Sequence, residues 1–171
     1  MTFISDSLNR IKPSATMVIT AKATQLKREG KKVIGLSSGE PDFDTPQHVK
    51  QAAIDAINSG YTKYTNIEGI PELRQSIVEK FKKDNDLNYD VSNVIVGTGG
   101  KQILFNALMS SLNKDDEVII PAPYWVSYPD MTLLAGGKPI FVDCSSETNF
   151  KLTGEALDKV ITKNSKWLIL N

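Results

Sequence analysis

The sequence predicts an α/β fold in which a mostly parallel sheet is flanked by helices, and three observations support this prediction. From residue 93 onward, short β-branched runs alternate with segments of helical periodicity, which is the pattern of strands joined by crossover helices. A glycine-rich turn joins the first of these runs to the helical segment that follows it. Apolar residues make up 40% of the 171 residues and charged residues 23%, a composition typical of a globular domain.

The first 45 residues predict one helix, one strand and a loop. Ser14 is a suitable cap for a helix over residues 14–29, and Gly30 supplies its C-terminal stop. A short apolar run predicts a strand over Val33–Leu36. The stretch SSGEPDFDTP at 37–46 is dense in turn-forming residues and lacks apolar periodicity. It is therefore a loop, and loops of this length often carry function.

Two further helices are predicted before the alternating pattern begins. The first covers residues 46–59, with Asp44 or Thr45 as its cap, and Gly60 ends it. The second begins near Pro71, and three residues at helical spacing form its apolar stripe: Leu73, Ile77 and Phe81.

The remaining residues predict strands and helices in alternation. The strands are expected at 94–96, 118–120, 139–142 and 167–170, and the helices at 101–112, 126–135 and 153–161.

The turn at residues 97–102 is a candidate anion site. Here Val94–Val96 leads through Gly99 and Gly100 into a helix that begins near Lys101. The free N–H groups and the positive dipole end of a helix start attract anions, and glycine lets a phosphate approach the backbone closely. Gln102 follows the lysine where the nucleotide-binding P-loop requires Ser or Thr. From these residues alone, a phosphate cradle and a structural turn both remain open.

Charge and cysteine content exclude several classes of protein. Twenty basic and twenty acidic residues cancel, which argues against a nucleic-acid partner. No apolar run is long enough for a membrane helix, and no secretion signal is evident at the start. The lone Cys144 and the lone His48 provide neither a disulfide nor a metal site. We therefore expect a cytoplasmic protein without a metal, and His48 is given no catalytic role.

Four segments together resemble the bacterial branch of class I aspartate aminotransferases. They are KPSAT at 12–16, SGEPDFDTP at 38–46, GGKQ at 99–102 and PYWVSYP at 123–129. Their order and spacing match the family along the whole sequence. The resemblance implies the N-terminal part of a fold-type I transferase that uses pyridoxal 5′-phosphate (PLP). It also implies a homodimer with shared active sites.

The same resemblance assigns residues to the cofactor. Gly99, Gly100 and Lys101 match the segment that holds the PLP phosphate, which agrees with the anion argument above. Trp125 matches the aromatic residue that stacks on the pyridine ring. Tyr64 matches a tyrosine that reaches the cofactor phosphate of the partner subunit.

Substrate contacts are implied at three positions. The backbone of Gly39 would contact the substrate carboxylate, and Trp125 would line the substrate site. Lys12 corresponds to a basic residue associated with the use of prephenate. The expected reaction is transamination between L-aspartate and 2-oxoglutarate, with prephenate as a further substrate. Another class I aminotransferase, a PLP lyase and a non-enzymatic anion-binding α/β module remain alternatives.

The resemblance further implies that no catalytic residue lies within this chain. In relatives the Schiff-base lysine is found beyond the position of Asn171, so we expect these residues to be an inactive part of a longer chain. Residues 1–45 would form an N-terminal arm and part of a small domain, and residues 46–171 the first half of the PLP-binding domain. We also expect the strand at 94–97 to pair only with a later strand, and the strand at 166–170 to be separated from 118–120 by a missing neighbour.

Overall fold

The computed structural model of the chain describes residues 3–37, 39 and 41–171, and these form two compact units. One consists of residues 1–18 and 99–171 and is called the sheet unit here. The other consists of residues 19–98 and is called the helical unit. The predicted domain boundary near residue 45 stays a prediction.

The sheet unit contains three parallel strands with the order β2-β1-β3. Strand β1 is Glu117–Ala122, β2 is Lys138–Asp143 and β3 is Ser165–Leu168. The central strand β1 pairs with β2 in continuous register, and its pairing with β3 is irregular between Glu117 and Val118. The prediction of a parallel sheet flanked by helices is thus confirmed.

Helices α4 and α5 cover one face of β1 and form the core with it. Helix α4 is Gly100–Ser111 and helix α5 is Ser127–Leu134. Val118 and Ile120 point to the same face because side chains alternate along a strand, and both are fully buried. They pack in one cluster with side chains from both helices and from the end of β3: Leu108, Leu112, Tyr128, Met131 and Ile169.

Short segments complete the sheet unit. A 3-10 turn at Asp6–Arg10 contacts α5, where an Arg10 guanidinium nitrogen donates to the Leu133 carbonyl at 3.3 Å. Helix α6 is Gly154–Asp158, and the Thr153 hydroxyl caps it by accepting from the N–H of Ala156 at 3.2 Å. The predicted helix at 153–161 is therefore correct in its position, but it extends beyond the observed end at Asp158.

Three helices make up most of the helical unit. Helix α1 is Ala15–Arg28, beginning in the sheet unit; α2 is Gln47–Asn58 and α3 is Pro71–Asn85. Ser14 caps α1 as predicted, since its hydroxyl accepts from the N–H of Met17 at 3.4 Å. Gly30 and Gly60 follow α1 and α2 with φ of +80° and +84°, a conformation that favours glycine.

Polar contacts hold the end of the helical unit. Arg74 of α3 donates to the carbonyls of Val94 at 2.9 Å and Val91 at 2.5 Å. The N–H of Val96 bonds to the Glu68 carbonyl at 2.9 Å. A side chain at Gly69, whose φ is +104°, would bring Cβ within 2.9 Å of Val96. These contacts fix residues 91–96 against α3 and the turn before it.

Several details of the predicted structure are wrong. Neither Val33–Leu36 nor Val94–Val96 forms a strand in the described part of the chain. Both are extended runs without a neighbouring strand to share a hydrogen-bond ladder, and β propensity alone does not supply one. The cap of α2 is Pro46 rather than Asp44 or Thr45, because Asp44 instead forms an ion pair with Lys50.

A further error concerns the order of strands. The last strand was expected to be separated from residues 118–120, whereas β3 pairs directly with β1, with Val118 opposite Trp167 and Ile119 opposite Leu168. It also covers Ser165–Leu168 rather than 167–170. No described helix is long and apolar enough to cross a membrane.

Candidate cofactor site

The start of α4 exposes backbone donors to open space. Gly99 is the N-cap with φ +84° and ψ 155°, a conformation that L side chains rarely adopt. The first N–H groups of a helix have no intrahelical acceptor, and no side chain caps α4 in the described part of the chain. Apart from chain neighbours and the helix's own backbone, no atom of the described residues lies within 4 Å of where a Cβ would stand at Gly99 or Gly100. An anion could therefore approach the first turn of α4 closely.

The connection between α4 and the sheet places this helix start beside Trp125. Helix α4 ends at Ser111 and β1 begins at Glu117, so a short turn separates the helix from the strand. The N-terminus of α4 lies at the carboxyl end of β1, where ligands of open α/β sheets bind. Trp125 follows the end of β1 by three residues, and the Lys101 Nζ lies 4.9 Å from the centroid of the Trp125 ring.

Neighbouring residues support the Trp125 indole. Trp125 is 37% exposed, and its ring meets the ring of the buried Tyr128 edge-on, with centroids 5.4 Å apart and an interplanar angle of 87°. The Tyr128 hydroxyl donates to Asn171 Oδ1 at 2.7 Å. Sequence reasoning did not single out Tyr128 or Asn171 as supports. The spacing of three between Trp125 and Tyr128, at the start of a helix, could have indicated the first of these contacts.

The structure thus brings together four of the predicted site residues in the sheet unit: Gly99, Gly100, Lys101 and Trp125. Lys12 belongs to the same unit and is exposed between the first 3-10 turn and α1. Gly39 and Tyr64 lie in the helical unit, where Gly39 is exposed and the Tyr64 side chain is 108% exposed. The neighbours Ser38 and Glu40 of the SGEP motif lie outside the described residues.

Other polar residues give no competing site. Among the described residues, no group of His, Cys, Asp and Glu side chains could hold a metal ion. His48 is exposed in the first turn of α2, and Cys144 is a buried free thiol after β2. The arrangement at the start of α4 suits a ligand that carries both an anionic group and a flat ring, because backbone donors, a cation and an indole converge there. PLP has both features, so the residues present fit it.

A sequence model of the family described as aminotransferase class I and II matches residues 31–171. The chain is 59% identical over its full length to a probable aspartate/prephenate aminotransferase of Rickettsia bellii. It is also 59% identical to an aspartate/prephenate aminotransferase of Cereibacter sphaeroides. In both cases it spans 43% of the relative's length.

Solved structures of similar proteins share this fold. The crystal structure of an aspartate aminotransferase from Rhizobium meliloti matches 98% of the chain with a TM-score of 0.93 and 49% identity. An aspartate aminotransferase from Thermus thermophilus, solved with maleate, matches 99% of the chain with a TM-score of 0.95 and 45% identity. The chain covers 42% and 44% of these two proteins, respectively.

Proposed function

Because the chain belongs to the class I and II aminotransferase family, we propose that the protein containing it transfers the amino group of L-aspartate to 2-oxoglutarate, giving oxaloacetate and glutamate, with PLP as its cofactor. One observation carries the proposal. The residues assigned to the cofactor phosphate and to its ring are far apart in sequence, yet Lys101 and Trp125 meet with 4.9 Å between the ammonium and the ring centroid.

The chain's own residues would bind and orient the cofactor. The N–H groups of Gly100 and Lys101 would donate to the phosphate, aided by the positive end of α4. The Trp125 indole would lie against the pyridine ring and fix its plane. When bound, PLP supplies an electron-withdrawing ring that weakens the bonds to the amino acid's Cα. None of these residues is assigned a proton transfer.

Two exposed residues of the helical unit, Tyr64 and Gly39, are assigned to contacts with the partner subunit's cofactor and with the substrate. The Tyr64 side chain is 108% exposed, which suits a hydroxyl that donates to the cofactor phosphate of the partner subunit in a homodimer. Gly39 is exposed, which suits a backbone position that contacts a substrate carboxylate. The buried free thiol of Cys144 is compatible with the cytoplasm as the location.

Prephenate is proposed as a further amino acceptor. The relatives from Rickettsia bellii and Cereibacter sphaeroides are named for aspartate and prephenate, and the exposed Lys12 offers a charge for a second carboxylate. In Lys12→Met, the kcat/KM for prephenate should fall more than that for 2-oxoglutarate. Equal losses, or none, would remove Lys12 from this role.

The test of the main proposal is an absorbance titration of the complete protein. PLP should bind, L-aspartate should change the spectrum of the bound cofactor, and 2-oxoglutarate should reverse that change. Trp125→Ala should weaken PLP binding by about tenfold, because stacking of this kind is worth roughly 0.5–1.5 kcal/mol beyond the buried area. Trp125→Phe is the matched control and should bind nearly as well. A non-enzymatic anion-binding module would bind inorganic phosphate without any spectral response to aspartate, and that outcome would overturn the proposal.

A further inference from the structure

The Lys101 side chain connects the two halves of the candidate site. Its backbone N–H belongs to the first turn of α4, and its ammonium lies 4.9 Å from the centroid of the Trp125 ring. A contact with Tyr128, by contrast, ties the indole only to the start of α5. Lys101 therefore joins the phosphate donors of one helix to the aromatic platform that precedes the next.

We propose that the Lys101 ammonium positions the Trp125 indole through this cation–π contact, so that the platform keeps a set place relative to the first turn of α4. The inference rests on the proposed PLP function for its purpose, but the contact exists without a ligand. Lys101 is in this view a positioning residue for the ring as well as a neighbour of the phosphate.

The need for such a contact follows from the exposure of the ring. Trp125 is 37% exposed, so packing alone leaves its side chain room to change rotamer. The negative face of an indole attracts an ammonium within about 6 Å of its centroid. The Tyr128 ring meets the indole at 87°, so Tyr128 and Lys101 provide two different kinds of contact. Together they hold the ring plane that a stacked cofactor requires.

Lys101 could act on the indole ring or only on the phosphate, and different results are expected for these two roles. If Lys101 acts only through its charge on the phosphate, its loss matters only for ligands that carry one. If Lys101 also holds the indole, its loss weakens the binding of pyridoxal, which has the ring without the phosphate. The environment of the Trp125 ring would also change in protein to which no ligand has been added.

The experiment uses the complete protein labelled with 5-fluorotryptophan. The Trp125 resonance in the ¹⁹F spectrum is identified by its loss in Trp125→Phe. Lys101→Met removes the charge and keeps most of the side-chain length, whereas Lys101→Arg keeps a cation that can lie over the ring. Lys114→Met is the matched control, since Lys114 is an exposed lysine of the same unit in the turn after α4.

In ligand-free protein, Lys101→Met should move or broaden the Trp125 resonance, and Lys101→Arg and Lys114→Met should leave it close to its original position. Pyridoxal affinity should fall about two- to fivefold in Lys101→Met, the range expected for an exposed cation–π contact. PLP affinity should fall further in that variant, because a positive charge near the phosphate is lost as well. Lys101→Arg should keep pyridoxal affinity within about twofold of the original.

An unchanged Trp125 resonance and unchanged pyridoxal affinity in Lys101→Met would overturn the inference, even if PLP affinity fell. A failure of the proposed function is distinguishable from this result. In that case the unsubstituted protein binds neither PLP nor pyridoxal, while the ¹⁹F spectra still decide whether Lys101 holds the indole.

Discussion

The two units of the chain differ in how they are stabilised. All the buried apolar side chains of the described residues lie between Leu108 and Ile169, in the sheet unit. Helices α1, α2 and α3 bury no residue completely. Large apolar side chains of the helical unit are instead exposed, among them Ile34, Leu36 and Phe43. One unit therefore has a buried hydrophobic core, whereas the described residues of the other have none that is fully buried.

This difference corresponds to a difference in proposed roles. Gly99, Gly100, Lys101 and Trp125, which are proposed to hold the cofactor, all lie in the sheet unit. A rigid core suits residues that must hold a ligand in a defined geometry. Tyr64 and Gly39, which are proposed to reach a partner's cofactor and a substrate, lie exposed in the helical unit.

The largest effect is expected from a core substitution. Ile120 is fully buried in the sheet unit, whereas Ile57 of the helical unit is 61% exposed. In the 171-residue chain, Ile120→Ala should lower the free energy of unfolding by about 2–5 kcal/mol through lost burial and a cavity. Ile57→Ala should change it by about 0.5 kcal/mol or less. Urea denaturation measures both, and equal losses would contradict the proposed difference between the units.

A smaller effect should follow from loss of the polar contacts in the helical unit. Arg74→Met removes the donors to the Val91 and Val94 carbonyls and should cost about 1–3 kcal/mol locally. Faster hydrogen exchange of the Val96 amide, which bonds to Glu68, is the expected signature. Arg28→Met, at an exposed arginine in the last turn of α1, should leave that exchange rate unchanged. If Val96 exchanges equally slowly in both variants, Arg74 does not hold this segment.

These outcomes bear on how far sequence alone can predict the structure. The helix ends marked by Ser14, Gly30, Gly60 and Pro71 were predicted well because these residues act on neighbouring backbone groups. The strands at 33–36 and 94–96 were not, because a strand exists only where a neighbour accepts its hydrogen bonds, which local sequence does not specify. The predicted separation of β1 and β3 was wrong for a related reason. It followed from the family resemblance, not from residues that specify which strands pair.

In the candidate site, too, local sequence indicates some features and leaves others unspecified. The glycines at the start of α4 were identifiable from a local motif. The approach of Lys101 to Trp125, in contrast, depends on how α4 packs against the rest of the sheet unit. The hydrogen bond between Tyr128 and Asn171 joins residues 43 apart in sequence, and no local pattern indicates it.

The smallest effect concerns a polar contact at the start of β1. A hydrogen bond from the Asn113 backbone N–H, together with Lys166, holds the pKa of Asp116 below its usual value. A lowered folded-state pKa stabilises the fold above the unfolded-state value of about 4, and this stabilisation is lost as the pH falls through the folded-state pKa. Asp116→Asn should therefore flatten the decline in stability below about pH 4.

Urea denaturation over a pH series measures this effect. Lys166→Met, which removes the weaker of the two partners, should reduce the slope only in part. An identical pH dependence in the original protein and in Asp116→Asn would show that the contact contributes nothing to the acid stability of the sheet unit.

The central claim is that the first turn of α4 and Trp125 hold the cofactor, and hydrogen exchange of the complete protein with and without PLP tests it most directly. The amides of Gly100 and Lys101 belong to the first turn of α4, which no side chain caps in the described part of the chain, so PLP should slow their exchange. The amides of Val118 and Ile120, already within the paired central strand, should change little. Slowed exchange at other segments, with residues 99–102 and 125–128 unaffected by PLP, would contradict the account.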